Sequence, residues 1–218
     1  MNRIIYADPP WSYKSRAVNS DTRFGGGAAG HYEVMGADEI AGLGRSVREL
    51  ADPDGSCLFM WAVLPQLGEA VEVMSSWGWN LKTVAFVWVK TYPKAGTPVA
   101  GPRFWTRSNA EIVLLGTRGK GYPRPVRHDV AQVLLCPHPR DSQGKIIHSR
   151  KPDEIRQRIV QLLGDLPRVE LFAREAPEGW AVVGNQLGEG ARVLVPDLTL
   201  FQHARREKRL AKASSEAV

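Results

Sequence analysis

The sharpest chemical signal in the sequence is the tetrapeptide Asp8-Pro9-Pro10-Trp11. It directly follows the apolar run of residues 4–7, which predicts a short buried strand. In open α/β sheets, ligands bind beyond the carboxyl ends of the strands, where this motif falls. An amino group conjugated to an aromatic ring is a poor nucleophile, because its lone pair is delocalised. The Asp8 carboxylate and the Pro9 carbonyl are suited to accept the two N–H groups of such an amine, and the prolines would hold them in place.

Trp11 closes the motif and offers a flat surface on which an extruded base could stack. Base-modifying enzymes take their target base out of the helix, and stacking on an aromatic side chain contributes about 1–3 kcal/mol per base. The alternative is a Pro-Pro turn whose tryptophan packs in the core. The motif predicts a catalytic group of four residues, of which the last also contacts substrate: Asp8, Pro9, Pro10 and Trp11.

A second candidate lies much later in the chain, where Lys151 precedes Pro152. Proline is favoured at the first position of a helix, so the lysine ammonium and the helix N-terminus would converge on one place. That arrangement suits a carboxylate ligand. The alternative is an ordinary helix cap with a solvated lysine.

Glu170 is an acid inside the apolar run Val169-Glu170-Leu171-Phe172. A buried carboxylate needs partners, and a ribose diol offers two donors to one carboxylate. A salt bridge with Arg174 is the alternative, and both interactions can coexist.

The elements that must position these residues alternate along the chain. Apolar runs predict strands at residues 4–7, 57–63, 84–89, 112–115, 130–135, 168–172 and 181–183. Helical spacing predicts helices at residues 37–50, 65–77 and 152–163. This alternation indicates an α/β protein, with a mostly parallel, doubly wound sheet and helices on both of its faces.

Two long segments, near residues 12–30 and 91–107, are rich in Gly, Pro and polar residues and are expected to be active-site loops. The run of residues 25–30 matches G-x-G-x-x-G, but a polar segment precedes it instead of a strand, so it does not indicate a dinucleotide site. His31 and His148 have no ligand cluster around them in the sequence, and no metal is expected.

The 218 residues are 43% apolar and 24% charged, with a net charge of +6, as in an ordinary globular protein. We expect one domain over residues 1–200 and a basic tail over residues 201–218. Two distant cysteines exclude a disulfide framework and favour a reducing cytoplasm. No uncharged apolar run reaches the roughly 20 residues of a membrane span, so no membrane association is expected.

The positive charge is concentrated in residues 73–128, which contain nine Lys and Arg against one acid, Glu111. Such a zone predicts a polyanionic partner, most simply nucleic acid, although solvated surface charge is the alternative. We expect the stretch to form the phosphate-contacting wall of the active site, with Lys90, Trp105 and Arg107 touching substrate. Trp105 could equally belong to the core, and Glu111 is expected to pair with one of the arginines.

Seven segments in order resemble one family: YADPPW (6–11), HYEVM (31–35), VWVK (87–90), FWTRSNAEIVLLGTRG (104–119), HSRKPDEI (148–155), VELFAR (169–174) and GW…GNQ (179–186). The chain is identified by them as a member of the MT-A-type adenine-N6 methyltransferases, which include mRNA-adenosine methyltransferases and small prokaryotic and phage DNA enzymes. The resemblance implies a Rossmann-like methyltransferase fold. It also implies methyl transfer from S-adenosylmethionine, leaving S-adenosylhomocysteine, without a metal.

The resemblance also assigns residues to the cofactor and the substrate. The methionine end of the cofactor would lie at Ser149 and Lys151, and Asp8 is also expected to bind the cofactor. Its ribose and adenine would meet Glu170, Arg174, Asn185 and Gln186. Tyr32, at the end of the first long loop, would join the substrate-binding residues.

The function predicted is DNA adenine-N6 methylation, because small stand-alone members resemble the prokaryotic and phage DNA enzymes. An RNA adenosine methyltransferase and a catalytically silent nucleic-acid-binding subunit are the alternatives. The sequence starts close to the catalytic strand, so the N-terminal extension of larger relatives is not expected. We expect a monomer or homodimer in the cytoplasm of a bacterial or phage-infected cell.

Overall fold

Seven strands form one sheet in the computed structural model, which describes residues 1–12, 34–101, 105–147, 149–184 and 187. The strands are β1 (Ile4–Ala7), β2 (Gly55–Ala62), β3 (Asn80–Lys90), β4 (Ala110–Gly119), β5 (Val133–Cys136), β6 (Arg168–Leu171) and β7 (Ala181–Val183). The helices are α1 (Ala37–Gly42), α2 (Gly44–Leu50), α3 (Leu67–Ser76) and α4 (Glu154–Leu163).

The strand order is β5-β3-β4-β2-β1-β6-β7. The pairs β1–β2, β1–β6, β6–β7 and β3–β5 are parallel, whereas β4 runs antiparallel to both of its neighbours. The predicted fold, a mostly parallel α/β sheet of Rossmann-like methyltransferase type, is confirmed.

Side-chain alternation along the central strands produces a core on each face of the sheet. In β1, Ile5 and Ala7 face the layer formed by α1, α2 and α3, and Ile4 and Tyr6 face α4. Strand β2 alternates in the same way and is buried along its whole length. Strands buried on both faces explain the nearly continuous apolar runs in the sequence.

All three predicted helices begin or end differently in the structure. The helix expected from Pro152 begins at Glu154, with Asp153 as its N-cap, so Pro152 precedes the helix. The helix expected over residues 37–50 is two helices, α1 and α2, separated at Leu43. Glycine weakens a helix interior, and a Cβ at Gly44 would lie 3.1 Å from the Trp77 ring, so the close packing there favours a small residue. The helix expected from Pro65 starts with a 3-10 turn, Leu64–Gln66, before α3.

The reversed direction of β4 separates the predicted phosphate-contacting wall into two parts. We call the edge where β1, β2 and β3 end the carboxyl edge, and the opposite edge the amino edge. Ala62 pairs with Ile112 and Gly55 with Gly119, so β4 starts at the carboxyl edge and ends at the amino edge. The expectation of a single basic wall along residues 73–128 is therefore wrong: Lys90 lies at the carboxyl edge and Arg118 near the amino edge.

The second long segment is partly a small hairpin. The amide of Val99 donates to the carbonyl of Lys90, and that of Tyr92 to Thr97. The first long segment and the basic tail lie almost wholly outside the described residues. In the part of the chain that is described, no helix has the length and apolar character needed to span a membrane.

Candidate active site

Four charged side chains meet at the carboxyl edge, and we call them the charge chain. Asp8 follows β1, Lys90 ends β3, Glu111 is the second residue of β4 and Lys151 shortly precedes α4. Parallel strands bring residues that follow them to the same edge, and the antiparallel β4 brings its first residues there as well. Sheet topology thus gathers residues that are up to 143 positions apart in the sequence.

The charges alternate in sign along the chain of contacts. Lys90 Nζ lies 2.6 Å from Glu111 Oε1, and Lys151 Nζ lies 2.9 Å from Glu111 Oε2. Lys151 Nζ also lies 3.3 Å from Asp8 Oδ1 and 5.2 Å from the centre of the Trp61 ring. The lysine side chain is only 15% exposed, which excludes the alternative of a solvated lysine at a helix cap.

Burial and neighbouring charges act in opposite directions on these groups. Burial raises the pKa of the Asp8 carboxyl, while the Lys151 ammonium lowers it and Glu111 raises it further. Burial alone would also raise the pKa of Glu111, but Lys151 and Lys90 together lower it to about 2. The pKa of Lys151 is raised because Asp8 and Glu111 outweigh the effect of burial. Glu111 is therefore the fixed negative charge of the site.

The proline turn after β1 is held by main-chain hydrogen bonds. The Trp11 amide donates to the Pro9 carbonyl at 2.9 Å, and the Met35 amide donates to the Pro10 carbonyl at 2.8 Å. A carbonyl oxygen has two lone pairs, so the Pro9 oxygen keeps one for a further donor while its direction is fixed. This is the arrangement that the predicted acceptor role requires.

Trp11 has a different place from the one that base stacking needs. Its side chain is 8% exposed and belongs to the core between the sheet and helices α1 to α3. Its indole N–H donates to the Trp61 carbonyl at 3.0 Å. Of the two interpretations of Trp11, the structure supports the packed tryptophan, and the expected stacking surface is not available in this arrangement.

Glu170 lies on β6 beside β1 and is 5% exposed. Its carboxylate receives two hydrogen bonds from Arg156 of α4, at 2.7 and 2.9 Å. Burial raises the pKa of Glu170, and Arg156 opposes this shift. The salt-bridge partner is thus Arg156, whereas the sequence suggested Arg174.

The remaining residues predicted to hold a cofactor lie around the same edge. Ser149 is half-buried two positions before Lys151, and Arg174 is close enough to lower the pKa of Asp8. Ser149 and Phe172 have φ angles of 60° and 62°, a left-handed conformation that is uncommon outside glycine. Backbone strain of this kind concentrates at ligand sites. Asn185, Gln186 and Tyr32 lie outside the described residues.

The predicted substrate residues lie near the start of β4. Trp105 is 92% exposed, which excludes the alternative of a core tryptophan, and Arg107 is exposed as well. Lys90 is drawn into the charge chain instead, where its ammonium also lies 5.1 Å from the centre of the Trp88 ring.

Sequence reasoning missed two residues. Glu111 was expected to pair with an arginine, but its partners are Lys90 and Lys151. The sequence distinguishes Glu111 only as the sole acid of a basic stretch, at the start of a predicted strand. Arg156 had no signal beyond its place in a predicted helix.

The fold is that of a Rossmann-like methyltransferase. A family model described as MT-A70 matches residues 2–186. The chain is 32% identical over 190 residues to the Type II methyltransferase M.MunI of a Mycoplasma species, and the alignment covers 82% of this chain and 74% of that protein.

Two plant proteins are also similar. The chain is 28% identical to an N(6)-adenosine-methyltransferase MT-A70-like protein of Arabidopsis thaliana, over 88% of this chain and 24% of that protein. It is 25% identical, with the same coverage, to a probable N(6)-adenosine-methyltransferase MT-A70-like protein of Oryza sativa subsp. japonica. The chain belongs to the MT-A70 family, and it is an adenine methyltransferase.

Family membership implies the use of S-adenosylmethionine. The edge residues fit such a molecule, because its amino-acid end carries an ammonium and a carboxylate, and Asp8 and Lys151 present the complementary charges side by side. Within the described ranges, no group of three or more His, Cys, Asp or Glu side chains is arranged to hold a metal ion.

Proposed function

We propose that the chain methylates the exocyclic N6 amine of adenine in DNA. The observation that carries the proposal is the position of Asp8: its carboxylate follows β1 in a fixed proline turn and lies 3.3 Å from Lys151. M.MunI, which aligns with most of this chain, is named a Type II methyltransferase.

Two acceptors of this chain act on the amine. The Asp8 carboxylate and the free lone pair of the Pro9 carbonyl accept the two N–H groups of the adenine amine, which directs its nitrogen lone pair out of the ring plane. Main-chain hydrogen bonds to the Pro9 and Pro10 carbonyls fix the turn before substrate arrives. S-adenosylmethionine, when bound, supplies an electrophilic methyl group next to a positive sulfonium.

The charge chain orients these acceptors and the cofactor. Lys151 lies between two carboxylates, so it holds Asp8 in place and offers a positive charge to the cofactor carboxylate. Glu170 and Arg174 are the residues on the β6 side that would meet the cofactor ribose. Arg156 donates two hydrogen bonds to the Glu170 carboxylate and so holds it in position.

On the substrate side, the exposed Trp105 and Arg107 supply an aromatic face and a cation near the start of β4. An extruded base can stack on the tryptophan, and the arginine can contact a neighbouring phosphate. Because Trp11 is packed in the core, Trp105 is the better candidate for base stacking.

The test is transfer of a labelled methyl group to matched DNA and RNA oligonucleotides, followed by sequencing of the methylated positions. We expect label on adenine N6 in DNA. Transfer to RNA alone would contradict the choice of DNA and would agree with the adenosine-methyltransferase names of the plant relatives. Label on another atom, or none, would contradict the proposal as a whole.

The proposal includes a cytoplasmic enzyme that works as a monomer or a homodimer. Light scattering during size-exclusion chromatography measures the mass, and the chain mass is 24.1 kDa. A larger assembly would contradict this part alone.

A further inference from the structure

The amino edge of the sheet carries four cations that the active site does not use. We call Lys82, Arg118, Lys120 and Arg124 the amino-edge basic cluster. Lys82 lies at a bulge of β3, and the other three lie at the end of β4 and in the segment that follows it. Lys82, Lys120 and Arg124 are exposed, and Arg118 is half-buried.

Several basic side chains elsewhere in the described part of the chain are neutralised by an acid, although others, such as Arg45 and Lys94, are not. Arg127 pairs with Asp129, Arg150 with Glu175, Arg158 with Glu154 and Arg168 with Asp165. None of the four cluster cations forms an ion pair with an acid among the described residues. Two acids lie in the segment before β2. Asp52 is 3.8 Å from Arg3, and Asp54 is exposed; neither forms an ion pair with a cation of the cluster.

The Tyr122 ring contacts two of the four cations, whereas Arg118 lies 5.5 Å from the centre of the Trp79 ring, which belongs to the core on the opposite face of the sheet. Arg124 lies 4.1 Å and Lys82 5.7 Å from the centre of the Tyr122 ring, and Arg124 donates to the Tyr122 hydroxyl at 2.6 Å. Next to the tyrosine, the Gly121 amide donates to the Asp54 carbonyl at 2.9 Å. A Cβ at Gly55 would lie 2.3 Å from the Tyr122 nitrogen, so this segment is packed directly against β2.

Like charges gathered at one edge of the sheet repel one another, and a bound polyanion would offset this repulsion. We propose that the amino-edge basic cluster is a second nucleic-acid contact, which binds the sugar–phosphate backbone away from the target base. The inference rests on the proposed function only in taking nucleic acid as the polyanion.

The distance between the two edges sets the length of nucleic acid required. The ten residues of β4 span about 30 Å at roughly 3.4 Å per residue. A B-DNA duplex rises about 3.4 Å per base pair, so a contact at both edges needs about nine base pairs on one side of the target. A duplex of 8 bp with the target in its middle cannot reach the cluster, whereas one of 25 bp can.

The test compares a cluster variant with a matched control. Lys82→Gln/Arg124→Gln removes two unpaired cations, and Arg127→Gln removes a cation from the same segment that is already paired with Asp129. With a 25-bp duplex centred on an unmethylated adenine that the enzyme modifies, we expect the double variant to raise KM about tenfold and leave kcat unchanged. With the 8-bp duplex it should behave as wild type, and Arg127→Gln should behave as wild type on both.

A binding measurement separates this inference from the proposed function. Fluorescence anisotropy with the 25-bp duplex gives the slope of log K against log salt, and the magnitude of that slope falls by about 0.9 for each phosphate that the protein no longer neutralises. We expect the magnitude to fall by about 2 in the double variant and by about 0.9 in Lys120→Gln, an exposed position where the substitution should leave the fold intact. If the slopes do not change, or if Arg127→Gln changes them equally, the cluster is not a nucleic-acid contact, and the proposed methyltransferase activity is unaffected by that result. If the slopes change as expected but the protein transfers no methyl group, the contact is supported and the proposed function is contradicted.

Discussion

At the scale of single residues, Asp8 is the group on which the chemistry depends. Asp8→Asn keeps the size of the side chain but removes the charge that accepts an amine N–H. Removing one preorganised polar group from an active site typically costs about 100- to 1000-fold in kcat, and we expect a loss of that order. Single-turnover rates and cofactor binding by calorimetry measure the two effects separately.

Lys151 keeps Glu111 as its partner in the Asp8→Asn variant, so cofactor affinity should fall much less than the rate. Equal losses in rate and affinity would mean that Asp8 serves the cofactor only.

Replacement of Glu111 should change the pH dependence of kcat/KM, in a direction that follows from the neighbours of this residue. Its negative charge raises the pKa of Asp8 and also engages Lys151, the group that lowers it. Glu111→Gln removes the first effect and leaves the lysine to Asp8 alone, so both changes lower the pKa of Asp8. The acidic limb of the profile of kcat/KM against pH should therefore move to lower pH.

A matched control for that profile is Glu69→Gln, an exposed acid on α3 outside the charge chain. A limb that moves to higher pH in Glu111→Gln would show that another group controls it.

Single residues also show how far the sequence could predict the site. The place of Asp8 followed from a strand ending at a proline turn, and that of Lys151 from its position before Pro152 and a predicted helix, to which the resemblance added its role toward the cofactor. The partners of Glu111 could not be predicted, because they depend on the pairing of Trp88 with Glu111, which brings Lys90 alongside. Such a register is a property of two strands together, not of either sequence segment.

At the scale of elements, Arg156 joins helix α4 to the sheet. Its side chain is 13% exposed and bonds to Glu170 on β6, to Glu175 and to Asp153. Arg156→Met leaves Glu170 buried without its partner, and breaking a buried pair in this way costs about 3–5 kcal/mol. Urea unfolding should show a loss of that size in the free energy of unfolding.

The double variant Arg156→Met/Glu170→Met provides the control, since replacing both partners of a buried pair with apolar groups is often neutral. It should recover most of the lost stability. A loss under about 1 kcal/mol in Arg156→Met would show that water solvates Glu170 in the folded protein.

The strands also show how much of the fold could be predicted from the sequence. Apolar runs located all seven strands, because burial on both faces leaves a clear pattern. The direction of β4 left no such pattern, since the same run of residues buries equally well in either direction. Its reversal decides the distribution of charge, because it places Glu111 at the carboxyl edge and Arg118 near the amino edge.

At the scale of the whole molecule, both cores share one sheet. Tyr6 and Ile5, adjacent in β1, belong to different cores, so the same strand forms part of both. Because the two cores share their strands, we expect them to unfold in one cooperative transition. A ligand bound at the carboxyl edge should therefore stabilise the complete described fold and not one layer of it.

The cofactor product S-adenosylhomocysteine makes this measurable. At a concentration of 100 Kd, a ligand that binds only the folded state adds about 2.7 kcal/mol of stability. For a protein of this size, 1 kcal/mol corresponds to about 2–4 °C in Tm, so we expect Tm to rise by about 5–11 °C. Near-UV circular dichroism, which follows the tryptophans of both cores, and far-UV circular dichroism should report the same midpoint. Lys151→Met should abolish most of the rise, because it removes the positive charge offered to the cofactor carboxylate. A rise seen by one probe alone would show that the two cores unfold separately, and an undiminished rise in Lys151→Met would place the cofactor elsewhere.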